Sequence, residues 1–164
     1  MGLVGAALGG GGTYLALRPT LAQATVSRVA DAQAAREAGD AYENLQQWPE
    51  AIQAYTQAIA AGTDNPDIRT DLGVAYFRSS QPQKALEQYA RAQSENPRHE
   101  NSLFNEGSAY AVLGDNARAI TVWQQYLQHF PQGQHVAAAK NFIATVQAHG
   151  SPAPLPIPRP PAAP

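Results

Sequence analysis

The chain has 164 residues, of which 44% are hydrophobic, and this suits one domain with tails and a helical core. The formal net charge of −2 gives no electrostatic reason to expect nucleic acid or an acidic membrane surface as a partner. Because the chain contains no cysteine, disulfides, thiolate catalysis and cysteine-based metal sites are excluded.

Residues 1–19 form a Gly-rich apolar leader, in which residues 2–17 carry no charge. A membrane-spanning helix needs about 20 apolar residues, and this run is shorter and rich in glycine. The segment Ala22-Gln23-Ala24 fits the cleavage pattern of an export signal, but the basic segment that opens such signals is missing. A transmembrane anchor, a cleaved signal and an unstructured leader therefore all stay open. We expect a membrane-associated or exported protein, with a cytoplasmic location as the alternative.

Residues 20–31 are predicted to form a helix that leads into a repetitive region. From residue 32 onward, a glycine, a tyrosine, an alanine and a large aromatic residue each recur every 34 residues. The recurring residues are Gly39, Gly73 and Gly107; Tyr42, Tyr76 and Tyr110; Ala51, Ala85 and Ala119; and Tyr55, Tyr89 and Trp123. Four kinds of position with one period indicate three tandem copies of a single structural unit. Glycine inside a helix costs about 1 kcal/mol relative to alanine, so its recurrence indicates a packing role.

The segments 32–65, 66–99 and 100–133 resemble the tetratricopeptide repeat (TPR), a pair of antiparallel helices, A and B. The second segment carries the motif most fully, with Gly73, Tyr76, Ala85, Tyr89, Ala92 and Pro97 at the family's positions. The resemblance implies an all-α fold, an α-solenoid of three repeats. In the first segment Thr63 replaces the closing proline, which predicts a looser turn there. In the third, Glu106 replaces an apolar residue and Tyr126 a small one, and local repacking is predicted near Tyr126.

The residues after the third repeat are predicted to form a capping helix and a tail. Within residues 134–149, five apolar residues fall on one helical face: Val136, Ala139, Phe142, Ile143 and Val146. This face would cover the end of the solenoid, as stacked repeats require. Residues 150–164 are rich in proline and are expected to be disordered. They include a PxxP at Pro158 and Pro161, for which a passive tail is favoured over a docking motif.

The sequence contains none of the short motifs that mark phosphate loops, zinc proteases or EF-hands. We therefore expect no catalytic residues, no metal site and no cofactor, and the chain is predicted not to be an enzyme.

The resemblance implies instead a non-catalytic scaffold or adaptor that binds a peptide or helix of another protein in the groove lined by the A helices. The predicted groove residues are Arg36, Asp40, Glu43, Asp67, Asp71, Val74, Phe77, Arg78, Asn101, Phe104, Asn105 and Ser108. The end of the groove nearer the N-terminus is acidic, whereas the other end is more apolar. The alternatives are an assembly factor anchored to a membrane through residues 2–17 and a solenoid that associates with itself.

Chaperone-binding relatives clamp a terminal carboxylate between lysine and asparagine side chains. Here Arg36 imitates one such lysine, but Asp40 stands where the clamp has asparagine, and Asp71 is also acidic. The third repeat offers Asn101 and Asn105 in place of two cations. A basic or amphipathic ligand is therefore predicted, rather than a bare carboxylate.

Overall fold

The computed structural model describes residues 21–149. The predictions for the leader, which ends at residue 19, and for the tail at 150–164 lie outside the described residues. Residues 21–149 form seven helices: α1 (Leu21–Asn44), α2 (Trp48–Ala61), α3 (Pro66–Arg78), α4 (Pro82–Glu95), α5 (Glu100–Val112), α6 (Asn116–His129) and α7 (Val136–His149). This part of the chain contains no strand.

The helices pack in sequence order, which confirms the predicted all-α solenoid. Helices α1 and α2, α3 and α4, and α5 and α6 form the three pairs; α2 packs on α3, α4 on α5, and α7 on α6. The A helices are α1, α3 and α5. The helix predicted before the first repeat is not a separate element, because α1 runs without a break from Leu21 to Asn44.

Prolines and polar caps set the beginnings of the helices. Pro66 and Pro82 open α3 and α4, where a missing N–H costs little, and Pro49 lies in the first turn of α2. The side chain of Asn65 accepts a hydrogen bond from the N–H of Ile68, and that of Asp115 accepts one from Arg118. The ends of the helices thus follow from local sequence.

Each turn from an A helix to a B helix contains one residue with a left-handed backbone. These residues are Gln46, Ser80 and Gly114, with φ of 56°, 63° and 78°. They lie 34 residues apart, but only the third is glycine, the residue for which this conformation is least costly.

The turn after α2 corrects one prediction. Instead of a loose connection at Thr63, α2 ends at a left-handed Gly62 with φ of 117°. The N–H of Gly62 bonds to the carbonyl of Ile59, and the N–H of Thr63 bonds to that of Ala58. This double hydrogen bond is a tight helix end that needs no proline.

The recurring glycines lie against the recurring aromatic rings of the same repeat. A Cβ atom on Gly39 would come within 2.5 Å of the ring of Tyr55, and one on Gly73 within 2.4 Å of the ring of Tyr89. In the third repeat, a Cβ on Gly107 would come within 2.5 Å of Trp123. The glycines thus make room for the rings that fill the space between helices A and B. The alanines at positions 51, 85 and 119 are fully buried as well.

Tyr126 repacks the end of the third repeat, as predicted. Its side chain is fully buried, and its hydroxyl donates to Glu100 Oε1 at 2.9 Å while accepting from the N–H of His135. A Cβ on Gly133 would come within 2.3 Å of this hydroxyl, so the turn before α7 depends on glycine.

Candidate functional site

Carboxylates from the first two A helices meet at one end of the groove. Asp40 and Glu43 of α1 both lie 2.9 Å from the hydroxyl of Tyr55, which has one proton to donate. Arg36 Nη2 lies 3.7 Å from Asp71 Oδ2 and thereby joins α1 to α3. We call Asp40, Glu43, Asp67 and Asp71 the acidic cluster.

The electrostatics of the cluster are strongest at Asp71. Burial raises the pKa of its carboxyl to about 6 from 3.8, and the charges of Glu43, Asp40 and Asp67 add to the effect while Arg36 opposes it. The pKa of the Tyr55 hydroxyl also lies far above its usual value, because of burial and then its hydrogen bond to Glu43. Negative charge in the cluster is therefore crowded and only partly neutralised.

His99 connects the cluster to the next repeat, and sequence reasoning missed it. Its Nε2 lies 3.0 Å from Asp67 Oδ1, and its Nδ1 accepts from the N–H of Ser102, which caps α5. Because Nδ1 accepts, the proton of a neutral ring lies on Nε2 and is donated to Asp67. The available signal was the position of His99 directly before the first residue of α5.

The predicted apolar groove residues are largely engaged in packing. Val74 and Phe77 are half-buried against a core formed by Ala85, Tyr89 and Ala109. The neighbouring Arg78 is exposed.

The predicted groove residues of the third repeat also make contacts within the protein. The ring of Phe104 stacks on that of His135, with 4.0 Å between centroids and 12° between planes. Asn101 Oδ1 accepts from Gln134 Nε2 at 3.2 Å, and the Ser108 hydroxyl donates to the carbonyl of Phe104. Asn105 is half-buried. The structure thus separates the predicted set into a charged part on α1 and α3 and a packed part formed by Val74 and Phe77 of α3 and by residues of α5.

Between residues 21 and 149, no group of histidine and acidic side chains has the arrangement needed to hold a metal ion. Among the helices of the same segment, none has the length and apolar character to cross a membrane. The proposed attachment through residues 2–17 falls outside this segment.

Comparison with known families assigns the repeats. A family model described as TPR repeat matches residues 39–80, and one described as Tetratricopeptide repeat matches residues 70–134. The chain belongs to the tetratricopeptide-repeat family. The matches overlap and together cover the three helix pairs from within α1 to beyond α6.

Two curated relatives differ in how much of their length this TPR chain spans. The chain is 27% identical over 114 residues to serine/threonine-protein phosphatase T of Trypanosoma brucei brucei, a match that covers 70% of this chain but only 24% of the relative. It is 26% identical over 117 residues to the photosystem I assembly protein Ycf3 of Synechococcus, covering 63% of this chain and 65% of the relative. The chain therefore spans less than two thirds of either protein.

Solved structures share the fold of this TPR chain. The Arabidopsis OM64 TPR domain superposes with a TM-score of 0.67 at 19% identity, covering 72% of this chain and 98% of that domain. The first TPR of Spaghetti (RPAP3), bound to the HSP90 peptide SRMEEVD, superposes with a TM-score of 0.66 at 21% identity, covering 73% and 96%.

Proposed function

We propose that this protein is a non-catalytic interaction module whose groove binds a basic or amphipathic segment of another protein. The observation that carries the proposal is the acidic cluster on α1 and α3. It brings four carboxylates together, with Arg36 beside Asp71. Burial, and then the charges of the neighbouring carboxylates, raise the pKa of Asp71 to about 6.

A cationic ligand would relieve this crowding. An opposite charge placed within a few ångströms of a carboxylate favours its ionised form, so a lysine or arginine over Asp71 would add to the attraction that Arg36 already supplies. Complementary charge of this kind chiefly provides specificity and faster association.

The same charges argue against an acidic ligand. A structural neighbour has the peptide SRMEEVD bound, which carries two glutamates and an aspartate. In the present groove, Asp40 and Asp71 would repel such a peptide, and Arg36 already faces Asp71. We therefore expect this protein to differ in ligand preference from that neighbour, although the two share a fold.

The test is a titration with two labelled probes, a lysine-rich amphipathic peptide and SRMEEVD, at low and high salt. Reversing two groove charges with Asp40→Lys and Asp67→Lys should weaken binding of the basic probe by about 1–2 kcal/mol at low salt. Much of that difference should disappear at high salt, because exposed charges are screened.

The matched control is Glu87→Lys with Glu95→Lys. It changes the net charge equally on two exposed residues of α4, outside the groove. Circular dichroism should show equal helix content in all three proteins. The proposal is wrong if the two double variants weaken the basic probe equally, or if SRMEEVD binds the wild type more tightly than the basic probe does.

A further inference from the structure

Helix α1 is longer than the repeat requires. It has 24 residues, whereas α3 and α5 have 13 each, so α1 exceeds them by eleven. The extra residues, 21–31, precede the point that corresponds to the starts of α3 and α5, and every one of them is exposed. We call this segment the α1 extension.

One face of α1 runs from this extension into the groove. Its residues follow the three-and-four spacing of a coiled-coil seam. They are Ala22, Val26, Val29, Gln33, Arg36, Asp40 and Glu43. The contacts of Arg36 with Asp71, and the effect of Asp40 and Glu43 on the pKa of Asp71, place the later part of this seam opposite α3. The seam is therefore apolar over the extension and acidic over the groove.

The apolar part of the seam is unusually open to solvent. Val26 is 70% exposed and Val29 is 64% exposed. Val26 borders a shallow depression with Ala22, and Val29 lines a cleft against Ala61 at the end of α2. Residues 21–31 continue a longer helix but are all exposed, so little packing holds them helical, and a covering partner would stabilise them.

We propose that the α1 extension and the acidic cluster form one continuous docking surface for a single amphipathic helix of a partner protein. This inference rests on the groove function proposed above. The partner helix presents apolar residues to Val26 and Val29, and lysine or arginine, about three to four turns further along, to Asp40 and Glu43. Because the apolar and the acidic parts of the seam lie on one continuous helix face, the ligand that matches both is a single helix with an apolar part and a basic part.

A second copy of the chain fits the same seam poorly. Parallel pairing would bring carboxylates onto carboxylates, and antiparallel pairing along the full seam would place Asp40 and Glu43 against the valines of the other copy. Pairing of the two extensions alone would bury only about three turns of helix with small side chains. Such a contact falls well short of the roughly 1,000 Å² expected of a stable interface.

The experiment uses the full-length protein and two labelled helical peptides of equal length. The first has leucine at the seam positions of two heptads and lysine at those of the next heptad. In the second, glutamine replaces the leucines and the lysines stay. Fluorescence anisotropy at low salt measures the dissociation constants for wild type, for Val26→Gln/Val29→Gln and for the control Ala24→Gln/Ala34→Gln, whose exposed positions lie on α1 off the seam.

The leucine–lysine peptide should bind the wild type about tenfold or more tightly than the glutamine–lysine peptide. Val26→Gln/Val29→Gln should remove that advantage and leave the glutamine–lysine peptide unaffected, whereas the control should change either constant by less than about twofold.

If both peptides bind but the valine substitutions change neither constant, the extension takes no part and only the groove function remains. If neither peptide binds the wild type, both proposals are wrong. Sedimentation provides the other decisive measurement: a wild-type dimer that Val26→Gln/Val29→Gln converts to a monomer would assign the extension to a second copy and overturn the inference.

Discussion

At position 71, burial and three neighbouring carboxylates act on one side chain. The raised pKa of about 6 means that the folded protein binds this proton more tightly than the unfolded chain, whose carboxyl has the ordinary value of 3.8. At a pH well below 3.8 the Asp71 carboxyl is protonated in both the folded and the unfolded states, so its ionisation does not lower the stability of the folded protein. As the pH rises from about 3.8 to about 6, the unfolded chain releases this proton while the folded protein still holds it, so the free energy of unfolding falls across this interval and levels off above it.

Asp71→Asn should therefore stabilise the protein at pH 7.5 and have little effect near pH 4. We expect a gain of about 1 kcal/mol in the free energy of unfolding, less than the pKa shift alone implies, because solvent screens a side chain that is one third exposed. Urea denaturation at the two pH values measures it. Glu87→Gln, which removes an exposed carboxylate on α4, is the control. An equal effect of Asp71→Asn at both pH values would contradict the assignment.

The contact of Gly73 with Tyr89 allows a second test by substitution of a single residue. Alanine is the better helix former by about 1 kcal/mol, but its Cβ would lie 2.4 Å from a ring that is 1% exposed and has nowhere to move. Gly73→Ala should therefore destabilise the protein by about 1–3 kcal/mol, measured by urea denaturation. Combined with Tyr89→Leu, its cost should be smaller than it is alone, since the clash is gone. If the two changes in the free energy of unfolding simply add, the Tyr89 ring is not what makes alanine at position 73 unfavourable.

At the scale of elements, two of the three turns between A and B helices hold a residue other than glycine in a left-handed backbone, which is strained. Ser80 holds a left-handed backbone with φ of 63°, at the position where the third repeat has Gly114. Ser80→Gly should raise the free energy of unfolding by about 0.5–1 kcal/mol, because glycine adopts this conformation without the steric cost. Thermal denaturation measures the change. Gly114→Ser should have the opposite sign, and a loss of stability in both variants would refute the argument.

The contact between the helices of the middle repeat is a second element-scale test. Ala85 is fully buried, whereas Gln83 on the same helix is exposed. Ala85→Leu should overpack this contact and cost about 1–3 kcal/mol, while Gln83→Leu should stay within about 0.5 kcal/mol. Denaturant titrations compare them directly. Similar midpoints would mean that α4 is rotated from its described orientation.

At the scale of the whole molecule, α7 closes the array. Phe142 meets Trp123 of the last repeat edge-on, with ring centroids 4.6 Å apart. Because repeats depend on their neighbours, loss of this contact should weaken the entire third repeat. Phe142→Ala should cost about 2–4 kcal/mol and shift the tryptophan emission as Trp123 is exposed. Asn141→Ala, at an exposed neighbouring position, should do neither. An unchanged midpoint for Phe142→Ala would show that the array is stable without its cap.

The solenoid was predictable because its determinants recur in the sequence. A glycine and an aromatic residue 16 positions apart, three times over, specify a packing contact that depends only on helix geometry. The binding residues of the groove were harder to predict, because a position on the inner face does not tell whether other side chains of the protein already contact the residue. Phe104 was expected to offer apolar contact to a partner, but the ring of His135, 31 residues away, already covers one face. Val26 and Val29 were predicted to lie in a helix that leads into the repeats. Within residues 21–149 both stay largely exposed, because α2 already ends at Ala61.

The pairing of each glycine with its own repeat's ring has a consequence for how such a chain can grow. The contact between Gly73 and Tyr89 lies wholly inside residues 66–99, and so does the hydrogen bond of His99 to Asp67. A tandem duplication of that segment would therefore inherit both contacts intact. At the new junction, His99 would precede Pro66, repeating the present order of a side-chain cap followed by a proline at the first helical position. A copy of the middle repeat would thus bring its own glycine–ring contact and its own His99–Asp67 hydrogen bond. Such a copy would lengthen the array without changing the residues at either end.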